Sequence, residues 1–343
     1  MWKLISTIQK HLTIAIPFMM LSGFLFGWFY DSEFLKSLIM PLTILMVYPM
    51  MVNLNMSKVF EKGDTKAQLF ALGINFLILP FGVFAVGLIF FTRENPYMLL
   101  GILLAGLVPT SGMTISWTGF AKGNVEAAVK MTVAGLAIGS AVTPFYVKFL
   151  MGTAITINVV QVFNQIILIV FIPMIAGVLT RKFLVKRYGI TQYSSDIGPK
   201  FPALSTLGVV GIVFVAMALK AKAIGSSPEI ILYILIPVSI IYGANFLFST
   251  IVAKLFLNRG DGIALVYGTV MRNLSIALAI AINAFGTEGS TAALVVAAAY
   301  IVQVQSAAWY VKLTPYIFGE KSLKTQTKQK TRKLRFFKKK SDK

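Results

Sequence analysis

Residues 262–286 read GIALVYGTVMRNLSIALAIAINAFG, an apolar run around one arginine, Arg272. A charge at the centre of a membrane helix costs about 2.5–3.5 kcal/mol on insertion scales. Arg272 must therefore face protein or water rather than lipid. Two chemistries suit it. A structural arginine would be satisfied by carbonyls of another interrupted helix. A functional one would hold an anionic or polar solute, or stand in for a coupling ion. Asn273 and Ser275 beside it supply an amide and a hydroxyl.

The first half of the chain has its own break. In residues 98–124, MLLGILLAGLVPTSGMTISWTGFAKGN, Pro109 has no amide hydrogen and clashes with the turn before it. Thr110, Ser111 and Gly112 follow, so this stretch can unwind. Its peptide groups then need partners inside protein or a cavity. Oxygen and amide groups of Thr110, Ser111, Thr114, Asn273, Ser275, Asn75 and Gln303 are the candidates to hold a solute with Arg272. Thr132, Asn245, Asn283, Ser116 and Gln305 are further intramembrane polar groups, of the kind that join helices by hydrogen bonds.

Acidic chemistry is missing from the same places. The twelve carboxylates are Asp31, Glu33, Glu61, Asp64, Glu94, Glu126, Asp196, Glu229, Asp261, Glu288, Glu320 and Asp342, and none falls in the middle of an apolar run. Glu126 enters one, four residues before Lys130, a spacing that pairs them on one helix face. Proton relays use buried carboxylates, and a sodium site here would rest on neutral oxygens with Arg272 repelling the ion. There is no cysteine and one histidine, His11, which excludes disulfides, thiolate metal sites and a Ser-His-Asp triad. No cofactor and no metal are expected. An intramembrane enzyme survives only as a Ser-Lys pair on Lys130, so the chain reads as a non-enzyme.

The elements that carry these residues are membrane helices. Hydrophobic residues make up 57% of the 343 positions and charged residues 13%, about half the usual charged share of a soluble domain. Apolar runs fall at 12–30, 34–54, 68–91, 97–120, 124–150, 157–180, 203–220, 229–256, 262–285 and 289–316. With the N-terminus inside, 24 Lys and Arg lie on the inner segments and 5 on the outer ones, an asymmetry that predicts ten spans with both ends cytoplasmic. Eleven of these lie after Gly319, in a basic tail over 319–343 that suits a lipid surface rather than nucleic acid. No cleavable signal peptide is expected, because further spans follow the first run directly. The basic connection 181–202 is the expected divide between a first repeat, 1–180, and a second, 203–318, although six of these runs precede it and four follow it; five and five fall on either side of 151–156. An odd number per half inverts the second set, as in inverted-repeat transporters. The halves share no plain identity, so the repeat rests on the span count.

Taken together these residues resemble the superfamily of bile acid:sodium symporters and arsenite permeases, closest to the arsenite permease branch. The likeness lies in Pro17 with Gly23 and Gly27; Tyr48-Pro49-Met50-Met51; Asn75 with Pro80; Gly106-Leu107, Pro109, Met113 and Trp117 leading into Ala121-Lys122-Gly123-Asn124; and Arg272-Asn273. The resemblance implies an all-α membrane protein of two inverted five-helix repeats whose fourth and ninth helices are broken and crossed. It also exposes departures. Thr110 stands where arsenite permeases carry a cysteine, Ser275 where they carry a glutamate, and Gln303 where a further glutamate is usual. Gly268 and Arg272 stand where the symporters place their glutamate and glutamine sodium ligands. One ligand is missing near Thr114 and Ile115.

The expectation is a secondary transporter in the cell membrane that moves a small solute by alternating access, driven by an ion gradient or the solute's own. An oxyanion or small organic anion near Arg272 fits best. Arsenite efflux and sodium-coupled anion transport are the alternatives. Reporter fusions at the N-terminus and after Lys343 should both read cytoplasmic; one terminus outside would overturn the ten-span reading.

Overall fold

The computed structural model describes residues 5, 7–8, 11–53, 64–91, 95–152, 159–226 and 229–319. The basic tail expected from 319 onward lies outside them except for Gly319, as do Lys3, Lys10, Lys58, Lys62 and Arg93. Among the described residues every regular element is a helix. That is the expected solution in hydrocarbon, where each peptide group must find its partner within its own segment.

The chain runs through α1 (Leu12–Phe29), α2 (Ile39–Val52), α3 (Thr65–Phe90), α4 (Pro96–Leu107), α5 (Gly112–Phe120) and α6 (Val125–Met151). It continues as α7 (Val162–Ile197), α8 (Lys200–Ser226), α9 (Glu229–Phe256), α10 (Arg259–Val270), α11 (Leu274–Gly286) and α12 (Glu288–Phe318). Among the described residues seven helices are long and apolar enough to cross a membrane, and three shorter apolar ones are α1, α4 and α11. The predicted run 97–120 divides into α4 and α5, and the run 262–285 into α10 and α11. A single glycine turns the chain between α11 and α12, Gly286 at φ +58°, a conformation that side chains with a Cβ disfavour.

Prolines leave marks inside the long helices. The π turns Ile74–Ile78 in α3 and Ile167–Phe171 in α7 each end two residues before a proline, Pro80 and Pro173. Pro80 cannot donate to the carbonyl of Phe76, four residues back. The Tyr146 hydroxyl of α6 donates to that oxygen instead.

Two sets of helices emerge from the packing. In one, α8 lies against α1 and α2, with α7 on the far side of α2. In the other, α12 lies against α4, α9 against α10, and α5 against α6. The sets meet where α11 and α12 touch α8, α1 and α2, and the Asn283 amide donates to Thr43 Oγ1 at 3.2 Å across that seam. Outward faces are apolar: Phe18, Ile89 and Phe149 are 63%, 75% and 75% exposed, as lipid contact requires.

Close backbone approach replaces hydrophobic drive between such helices. Gly208 of α8 shows it, because a Cβ there would sit 2.4 Å from the Met46 backbone nitrogen of α2. Gly208→Val should therefore lower thermal stability in detergent, by about 1–3 kcal/mol of overpacking. Gly82→Ala, with nothing within 4 Å, should lower it not at all. Equal melting temperatures for the two variants would show that α2 and α8 can separate freely.

Candidate functional site

The two interrupted helices meet at their breaks. After α4, Val108 is extended at φ −85°, ψ 96°, and after α10 Met271 is extended at φ −75°, ψ 101°. Pro109 and Arg272 form an antiparallel bridge, and the Asn273 amide donates to the Val108 carbonyl at 2.9 Å. Two stretches that lost their helical partners thus satisfy each other. The backbone around Arg272 makes this pairing, while the Arg272 side chain hydrogen-bonds to Asn75.

Gln303 of α12 completes the crossing. Its side-chain amide lies along the Arg272 peptide as another strand would. Oε1 accepts from the Arg272 backbone nitrogen at 2.7 Å and Nε2 donates to the Arg272 carbonyl at 3.2 Å. Tyr242 of α9 donates to the same Oε1 at 2.8 Å. The break in the first half is held differently. Thr110 sits in the left-handed region at φ 57°, and its hydroxyl reaches the carbonyls of Pro109 at 2.8 Å and of Thr132 in α6 at 3.1 Å. Such closeness to α6 demands a glycine, because a Cβ on Gly139 would lie 2.3 Å from Pro109 Cδ.

Both outgoing half-helices are capped from within. Ser111 and Thr114 form a reciprocal capping box at the start of α5. Asn273 Oδ1 accepts from the Ile276 amide at 3.2 Å and caps α11. The C-terminal carbonyls of α10 receive two asparagines. Asn75 on the π turn of α3 donates to Gly268 O at 3.0 Å, and Asn245 of α9 donates to Thr269 O at 2.9 Å. A cation beyond this helix end also complements its dipole, and Arg272 is that cation.

Arg272 as a whole is 3% exposed. One amino group, Nη2, donates to Asn75 Oδ1 at 2.8 Å. The other, Nη1, is buried without a hydrogen-bond partner, as is Asn273 Nδ2. Among the described residues no carboxylate forms an ion pair with Arg272. The other buried cation, Lys130, does have one: Asp64 Oδ2 lies 3.5 Å away at the start of α3. Asn124 joins that end of the bundle by donating to Asp64 at 3.0 Å and to Asp261 at 2.6 Å.

Arg272 borders a small cavity with about 20 Å³ of space open to the centre of a water, about one water's worth. Its walls are Leu79 and Val83 of α3, Ile102, Ala105 and Gly106 of α4, Val238, Ile241, Tyr242 and Asn245 of α9, Val270, and Ala299 of α12. Of the eight residues expected at a solute site, Arg272 alone lines this cavity. Asn75 and Gln303 hold it in place. Thr110, Ser111, Thr114 and Asn273 shape the breaks, and the Ser275 hydroxyl bonds to Tyr300.

Tyr242 and Asn245 were not among those eight. A signal for Asn245 was present: Gly73-Ile74-Asn75-Phe76-Leu77 in α3 is echoed by Gly243-Ala244-Asn245-Phe246-Leu247 in α9. Each asparagine bonds a neighbouring carbonyl of α10. The statement that the halves share no plain identity is corrected by this echo.

Residues 40–227 match the sodium bile acid symporter family. The chain is 26% identical over 208 residues to the arsenical-resistance protein Acr3 of Alkaliphilus metalliredigens, covering 57% of this chain and 58% of that protein. The chain therefore spans less than two thirds of that relative. It is 22% identical over 261 residues to Acr3 of Corynebacterium glutamicum, covering 73% and 70%. An uncharacterized sodium-dependent transporter of Bacillus subtilis, YocS, is 25% identical over 138 residues, 40% of each chain. A helical membrane protein with two interrupted helices joined at Pro109 and Arg272, matched over more than half its length, belongs to the sodium bile acid symporter family.

Proposed function

We propose that the chain is a secondary transporter that carries a small oxyanion or organic anion by alternating access, with Arg272 as the group that holds the charge. The observation that carries this reading is the buried Nη1 of Arg272, which has no hydrogen-bond partner, on a residue that lines a cavity and pairs with no carboxylate among the described residues. A guanidinium is a planar fork matched to carboxylates and oxyanions, and an unsatisfied buried donor is costly unless something fills it.

The architecture in this reading is two inverted five-helix repeats in the cell membrane with both termini cytoplasmic, and the divide expected at 181–202 moves ahead of α7, so that α1–α6 form the first repeat and α7–α12 the second. The echo around Asn75 and Asn245 supports it, because α3 and α9 are the third spans of the two halves. So does the meeting of two breaks in corresponding spans, the place where such transporters bind solute. The helices α1, α2, α7 and α8 then form one moving body and the rest the other.

Arsenite efflux is the second reading, favoured by the names of two relatives. Thr110 weighs against it: its hydroxyl is taken up by two backbone carbonyls, and the chain has no thiolate to coordinate arsenic. Sodium coupling is disfavoured by charge, since the resemblance puts Arg272 at the position of a symporter sodium ligand and a guanidinium there repels a cation.

Arg272→Gln should fold and insert, because the crossing is held by backbone bonds and Gln303. Transport by this variant in proteoliposomes should be lost. Arg272→Lys should be nearly as damaging, because a point charge does not reproduce the fork. A stable Gln variant that transports like the parent would remove the solute role from Arg272. Replacing sodium with potassium on both sides should leave the transport rate unchanged; steep activation by sodium would refute transport without sodium coupling.

A further inference from the structure

The charge balance around Arg272 says more about the solute than its sign. The cavity offers one formal positive charge and no second cation on its walls. Lys130, the other buried cation, is committed to Asp64. Apolar side chains from α3, α4, α9, α10 and α12 form most of the rest. Its other polar groups already have partners: Tyr242 donates to Gln303, and Asn245 donates to Thr269 O while its oxygen accepts from Ser249. Nη1 is left as the amino group with no protein partner.

We propose that this cavity takes a small monovalent anion and discriminates against divalent ones. The proposal rests on the reading of Arg272 as the group that holds the solute. A monoanion and the guanidinium neutralise each other, so the loaded cavity carries no net charge. A dianion would leave one full negative charge in an apolar enclosure, a burial that is heavily penalised without a partner. A neutral solute would leave the guanidinium uncompensated, for the same reason. Size points the same way, since the space holds about one water and must widen for any of these ions, least for the smaller monoanions such as formate and nitrate.

The test uses the purified full-length protein and thermal unfolding at constant ionic strength, with potassium salts in two pairs: nitrate against sulfate, and formate against oxalate. Nitrate and formate should raise the melting temperature saturably. Half-saturation should come at a concentration at least about tenfold lower than for any saturable effect of the dianions. Arg272→Gln should abolish the saturable part. Sulfate should give only the shallow, non-saturating rise expected of an excluded salt, equal in parent and variant. Arg272→Lys keeps the single charge, so it should bind nitrate more weakly and keep the monovalent preference. That variant carries the test if the Gln variant does not fold. Saturable binding of sulfate or oxalate as tight as that of nitrate or formate, lost on removing the arginine, would overturn the valence proposal and leave Arg272 as the anion site. Saturable binding that survives in Arg272→Gln, or no saturable binding of any of the four salts, would overturn both.

Discussion

Inside hydrocarbon an unwound peptide has no water to turn to, and this molecule has two such stretches. The meeting of Val108–Ser111 with Met271–Asn273 resolves that constraint. Asn273 N donates to Val108 O, Gln303 pairs with both peptide groups of Arg272, and the two new helix starts are capped by Ser111 and Asn273. Much else follows from keeping this crossing dry and paired. Gly139 is required so that α6 can approach Pro109. The asparagines at 75 and 245 are required because α10 ends in mid-structure with open carbonyls.

The crossing also sets where charge can be tolerated. Arg272 follows the C-terminus of α10, where helix carbonyls favour a cation, and Asn75 orients its Nη2. Asn75 can do both tasks because its amide has two ends: the nitrogen secures Gly268 O while the oxygen accepts from the guanidinium. A carboxylate at position 75 would neutralise Arg272 and lose the donor to Gly268. The amide leaves the positive charge uncompensated, which is what an anion site needs. Lys130 shows the opposite solution, a buried cation paired with Asp64.

In the proposed alternating-access cycle, movement has to leave the crossing intact. Its hydrogen bonds lie among α3, α4, α6, α9, α10, α11 and α12, whereas α1, α2, α7 and α8 contribute none of those described above. The seam between the two sets is joined by such contacts as Asn283 to Thr43 at 3.2 Å, a neutral side-chain bond that costs little to exchange. Within the first set the backbones touch, as at Gly208 and Met46, so that set is suited to move as one unit. A rigid pair of bodies with a weakly bonded seam is the mechanical requirement of alternating access.

Much of this was legible in residue types alone. An arginine amid apolar residues, a proline followed by small polar ones, and the absence of carboxylates from the apolar runs identified membrane helices and located both breaks, because these costs depend on burial in hydrocarbon and not on any particular partner. Partner choice was not legible. Thr110, Ser111 and Thr114 read as solute ligands because a hydroxyl near a break has no sequence mark that separates a cap from a ligand; only the fold showed their bonds to local backbone. Gln303 lies 31 residues from Arg272 and Asn75 lies 197 away, separations at which no periodicity carries information. Tertiary structure alone decided which amide meets which peptide, because the pairing arises from how helices distant in sequence cross.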